Sequence, residues 1–102
     1  DPSNARAQRD VFVTLISVGD IKAAGGDERG ALDSYLRSLD IAETLAKSDP
    51  SNAQALRDVS VSFIKLGDIK VAQGDLPGAL CAFQSSLGIT ENIAKSDPSN
   101  AQ

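Results

Sequence analysis

Leu56, Val59, Phe63, Leu66 and Val71 recur at intervals of three, four or five residues, and Leu80, Phe83, Leu87 and Ile93, with Ala79, Ala82 and Ala94, mostly do likewise further on. That spacing keeps returning to one side of a 3.6-residue helix, whereas strand faces alternate every two residues. The earlier half carries the same pattern, because residues 1–48 match residues 49–96 at 28 of 48 positions without a gap. GDIKAAGGDERGAL from Gly19 reappears as GDIKVAQGDLPGAL from Gly67, 67 − 19 = 48 residues later, and DPSNAQ at 97–102 opens a third copy. A recurrence of this length signals supersecondary units that cover one another's apolar faces.

The interruptions of the pattern are helix punctuation. Gly26 and Gly74 suit the left-handed position just past a helix, and Asp27 and Asp75 then suit an N-cap whose carboxylate accepts from free backbone N–H groups. Pro77 falls in a first turn, where its missing donor does no harm. Between the repeats, Asp49-Pro50-Ser51-Asn52 offers either Asp49 or Asn52 as the cap. Helices are predicted over about 4–24, 28–47, 52–72 and 76–95, with connections of about four residues that turn consecutive helices antiparallel. The expected fold is all-α: four long helices, two repeats (1–48 and 49–96) and one domain over 1–102. Gly19 and Gly67 lie inside helices, at a cost of about 1 kcal/mol each relative to alanine. A close approach to Ala31 or Ala79 on the next helix is the expected compensation.

Val18-Gly19, Gly26, Ala31, Tyr35 and Ser38, repeated as Leu66-Gly67, Gly74, Ala79, Phe83 and Ser86, resemble the signature of the tetratricopeptide repeat. The usual period of that family is 34 residues. The 48 − 34 = 14 extra residues correspond to about two added turns per helix, a long-helix variant. Leu15 and Phe63 stand where the family has Trp, and Lys22 and Lys70 where it has Tyr, so these lysines must face solvent or snorkel from the seam. The resemblance implies a right-handed α-solenoid fragment whose first helices line a concave groove for a partner peptide or helix. Carried over residue by residue, the groove would comprise Val13, Ile16, Ser17, Asp20 and Ala23, then Val61, Ile64, Lys65, Asp68 and Val71.

Composition narrows the alternatives. Ten Lys and Arg against fourteen Asp and Glu give a net charge of −4 with no basic patch, which disfavours nucleic acid and anionic membranes as partners. No apolar run reaches the roughly 18 residues of a membrane span, and no signal peptide opens the chain, so a cytoplasmic location is the expectation. The chain has no histidine and a single cysteine, Cys81, which removes Cys/His and Ser/His/Asp nucleophile arrangements and the usual zinc sites. GGDERG lacks the strand and spacing of a phosphate loop. Asp27 and Glu28 are better explained as first-turn charges than as acid/base residues. Cys81 falls on an outer stripe with Gln84, Ser85, Gly88, Asn92 and Lys95 and is read as an ordinary exposed thiol. No enzyme activity, metal or cofactor is expected.

Asp10, Thr14, Ser17 and Asp20, with Asp58, Ser62, Lys65 and Asp68 in the second copy, follow helical steps along one face. That face is either plain solvated surface or a groove, in which the aspartates favour neutral or cationic protein segments. The first helix also keeps Val11, Val13, Leu15 and Ile16, and the last keeps Ile89 and Ile93, without a polar cap beyond them. The alternative expectation is therefore a self-associating element that stacks or exchanges domains through open ends.

Overall fold

The computed structural model describes residues 2–96, as four helices: α1 (Pro2–Ala24), α2 (Glu28–Ser48), α3 (Ala53–Ala72) and α4 (Leu76–Ser96). The bounds agree with the sequence reading to within two residues, while the DPSNAQ segment at 97–102 lies outside the described residues. Each helix packs on the next in chain order, α1 on α2, α2 on α3 and α3 on α4. The pairing is antiparallel: Phe12 near the middle of α1 clusters with Ala42 late in α2, whereas Asp20 late in α1 meets Tyr35 early in α2. The molecule measures 39 × 32 × 20 Å, and the shortest extent is about two helix diameters.

Both turns inside the repeats are built from backbone geometry with no spare residue. Gly26 and Gly74 adopt φ of 86° and 81°, a region that costs a side-chain-bearing residue about 1 kcal/mol or more. Asp27 N–H then donates to Lys22 O at 2.8 Å and Gly26 N–H to Ala23 O at 3.1 Å, the pair of hydrogen bonds that satisfies the last carbonyls of α1. Asp27 at once starts α2, its carboxylate accepting from Gly30 N–H at 2.9 Å. Asp75 repeats both roles, donating to Lys70 O at 2.8 Å and accepting from Gly78 N–H at 2.9 Å. Between repeats the cap is Asn52, which accepts from Ala55 N–H at 3.0 Å. Asp49 folds the preceding turn through Ser51.

Two apolar clusters fill the interior. Ala31, Tyr35, Leu66, Ile69 and Ala82 join α2, α3 and α4, while Phe12, Ala42 and Val59 join α1, α2 and α3. Val71, part of the apolar spacing and of the expected groove, is 48% exposed, and Ile69, three residues after Leu66, takes the inward position. Small side chains meet at the helix seams. Ser38 of α2 and Ser62 of α3 share a hydrogen bond of 2.8 Å, and Ser60 of α3 and Ser86 of α4 share one of 2.6 Å; all four are buried. A buried hydroxyl without a partner would cost about 1–3 kcal/mol, so the serines are paired across the seams.

The helical glycines also mark close approaches, although the partner differs from the expectation. A Cβ on Gly19 would lie 2.8 Å from Cδ1 of Tyr35, and one on Gly67 would lie 2.7 Å from Cδ1 of Phe83. Ring and not alanine occupies the space, because the flat face of an aromatic residue one turn beyond Ala31 or Ala79 reaches back over the bare backbone.

Candidate functional site

Helices α1 and α3 are laid side by side in the same direction by two side-chain clasps. Near their starts, Arg9 donates to both carboxylate oxygens of Asp58, Nε to Oδ2 at 2.9 Å and Nη2 to Oδ1 at 3.2 Å. Gln54 adds a third bond at 3.0 Å. The Asp58 side chain is only 5% exposed, so its charge needs this fork of donors, and Arg9 is raised by its hydrogen bond to Asp58 against the opposing effect of burial. Toward the other end, Lys65 Nζ lies 3.0 Å from Asp20 Oδ1 and donates to Oδ2 at 3.2 Å.

Asp20 is also the acceptor of the Tyr35 hydroxyl at 2.6 Å, so one carboxylate ties α1 to α2 and α3 together. Burial alone would raise the Asp20 carboxyl. The hydrogen bonds from Tyr35 and Lys65, with the lysine charge, outweigh it and hold Asp20 below the ordinary aspartate value. Burial, then the bond to Asp20 and the nearby charges of Asp20 and Asp68, push the Tyr35 phenol well above its ordinary value. Phe83 replaces Tyr35 in the second repeat and cannot donate, and Asp68 accordingly stays exposed with no ion-pair partner among the described residues.

The residues expected in the groove divide into three sets. Val13, Ser17, Val61, Ile64, Asp68 and Val71 are exposed. Asp20 and Lys65 are half-buried and bonded to each other. Ile16 and Ala23 lean inward, Ile16 against both core clusters and Ala23 against the one around Tyr35. Two further members of the expected polar stripe do not face outward: Asp58 is buried under Arg9, and Ser62 is buried against Ser38. Both occupy the repeat seam because α3, unlike α1, has a neighbour on each side. The negative charge expected there is therefore smaller than the count of aspartates suggested, with Asp68 and, farther along, Asp10 left open.

Stacking covers some surfaces of the repeats and leaves others open in both. Among the large apolar residues, Val13 and Val61 are the pair exposed in both copies, at 44% and 38%. The open ends also differ from the expectation. Val11 and Val13 are exposed as expected, but Leu15 is buried at 7% and Ile16 and Ile89 pack against the core, whereas Val18 and Ile21 on α1 and Ile64, Leu80 and Leu87 on α3 and α4, not among the expected residues of the ends, are exposed.

Lys22 faces solvent, and the half-buried Lys70 reaches Asp75 at 3.7 Å. Cys81 is exposed. Among the described residues, no helix is long and apolar enough to cross a membrane, and no three His, Cys, Asp or Glu side chains converge on a common point that could hold a metal ion. The Arg9–Asp58 clasp was hidden in plain sight as the Arg-Asp dipeptide at 9–10 and 57–58, where the arginine of one copy reaches the aspartate of the next. No protein-family model, curated protein or solved structure matches this chain.

Proposed function

We propose that this chain is a non-enzymatic interaction module, a long-helix relative of the tetratricopeptide repeats whose paired helices continue as a right-handed solenoid. In this reading the first helices, α1 and α3, present a concave surface to a peptide or helix of another protein. The observation that carries it is the recurrence of Val13 and Val61 as exposed apolar residues in both copies. An isolated surface valine needs no explanation, but one retained at the same outward position of each repeat, beside Ser17, Lys65 and Asp68, makes a periodic apolar track with a polar border. With Lys65 neutralised by Asp20, the open charge on this track is that of Asp68, which favours neutral or basic segments.

Isothermal titration against matched Lys-rich and Glu-rich peptides, each carrying spaced apolar side chains, tests the reading. The Lys-rich peptide should bind more tightly. Replacing both Val13 and Val61 by serine should weaken it about fivefold without destabilising the fold, since roughly 1 kcal/mol of apolar contact is removed from the exposed track alone. Equal affinity for the two peptides, or binding indifferent to the double replacement, refutes it.

A further inference from the structure

We infer that a second copy of this chain docks head to tail on the first, with α1 of one copy seated on the outer face of α3 and α4 of the other. The internal junction between the repeats shows what such a contact requires, and both of its halves recur, exposed among the described residues, at opposite ends of them. In the internal junction α3 presents Val59, Leu66 and Ile69, each no more than 5% exposed. Their counterparts one period earlier, Val11, Val18 and Ile21 on α1, are 45%, 38% and 75% exposed. On the receiving side, Ile16 and Leu39 are half-buried and Ala42 is fully buried, whereas the counterparts Ile64, Leu87 and Thr90 are exposed. Substitution between the copies does not explain this, because four of these six pairs are Val, Ile or Leu matched to the identical residue.

The receiving surface has a defined seat. A groove of about 390 Å³ between α3 and α4 is lined by Arg57, Ser60, Ile64, Thr90 and Ala94, among others. One period earlier, Phe12, Ile16, Ala42 and Ala46 hold the positions of the last four, and there they surround Val59. The groove is thus the vacant equivalent of a site filled internally by a valine, and Val11 is the valine available at the other end. The ionic partners match as well. Arg57 is the counterpart of Arg9 and Asp10 of Asp58, both are exposed, and docking in the internal register brings Arg57 of one copy onto Asp10 of the next.

Two differences make this junction weaker than the internal one. Ser60 stands where Phe12 fills space, and the Asp20–Lys65 clasp has as its counterpart Asp68 opposite Ser17, which carries no charge. The contact joins unlike faces, so nothing closes it at two copies and assembly lengthens with concentration. Val61 borders this groove, but its counterpart Val13 stays 44% exposed beside the filled internal seat, and substitutions at Arg57 and Asp10 leave both valines in place, so assembly and peptide binding can fail independently.

Sedimentation velocity over a concentration series, up to about 1 mM to reach the weak end of specific association, tests the proposal with three variants. The wild-type chain should grow progressively past the dimer. Arg57→Glu and Asp10→Arg should each weaken association about tenfold or more, because each sets like charges against one another. The double variant Arg57→Glu/Asp10→Arg should recover to within about threefold of wild type, since the pair is restored with its sense reversed. Both positions are exposed, and unchanged helical circular dichroism establishes that each variant is folded. A strictly monomeric wild-type chain, or single variants that associate like wild type, overturns the proposal.

Discussion

Replacing Gly19 by alanine tests whether the α1–α2 crossing is as close as it looks. Intrinsic preference favours the change, since alanine inside a helix is more stable than glycine by about 1 kcal/mol. The new Cβ, however, would meet the body of the Tyr35 ring, 2.8 Å from Cδ1 and 3.0 Å from Cζ, where carbon contacts ordinarily begin near 3.5 Å. The ring must move by most of an ångström. Tyr35 is 3% exposed and its hydroxyl is held by Asp20, so it has little room to do so without losing that bond. Overpacking of this kind costs about 1–3 kcal/mol, and disturbing a partly solvated hydrogen bond to a carboxylate adds about 1 kcal/mol. Subtracting the helix preference leaves a net loss of about 1–3 kcal/mol. Urea unfolding followed by circular dichroism at 222 nm measures it. Gly88 supplies the control: it too lies inside a helix, but nothing is within 4 Å of the Cβ it would gain, so Gly88→Ala should stabilise by about 0.5–1 kcal/mol. A Gly19→Ala protein as stable as wild type, beside a stabilised Gly88→Ala protein, would refute the close crossing.

Tyr35 is the sole tyrosine, so absorbance near 295 nm follows its ionisation alone. Its folded value is raised, so the associated stability is present below the ordinary phenol value of about 10 and is lost as pH climbs beyond it; tyrosinate should appear only with unfolding, and a titration near 10 in folded protein would contradict the Asp20 bond. Asp20 runs the other way. Its folded value is depressed, so its contribution is present above about 4 and is lost as pH falls through the lowered value, and Asp20→Asn should flatten the acid limb of a stability profile. Arg9→Ala leaves the buried Asp58 with Gln54 as its remaining side-chain donor and should cost about 1–3 kcal/mol in urea unfolding, a figure reduced for the exposure of the arginine; a loss under about 0.3 kcal/mol would mean the clasp contributes nothing.

The helices were legible because their signals are local. Asp27, Gly26 and the apolar spacing around Leu66 act within a turn or two, and the sequence displays all of them side by side. Ring-over-glycine packing was half legible: a glycine retained at 19 and 67 announces a close approach, but whether Ala31 or Tyr35 fills the gap depends on the crossing angle, which no periodicity encodes. The fate of the polar stripe was not legible. Asp10 and Asp58 have the same neighbours in sequence, yet one is exposed and the other buried, because the seam is formed by a helix 49 residues away from its partner. Counting aspartates along a face therefore overstated its charge. Identical residues occupy unlike surroundings at the two ends, so sequence identity conceals the difference in exposure between equivalent positions.

The two kinds of connection in this chain differ in how they would respond to copying. The Gly-Asp joint at 26–27 completes itself with residues no more than five positions away, so a newly added unit brings its own intact elbow. The Arg9–Asp58 clasp is divided between units, and each addition satisfies one half-clasp while exposing another. Growth by tandem addition thus never disturbs the shape of a unit, yet it always regenerates the same unsatisfied end, which makes array length a matter of where addition stops and not of how any unit folds.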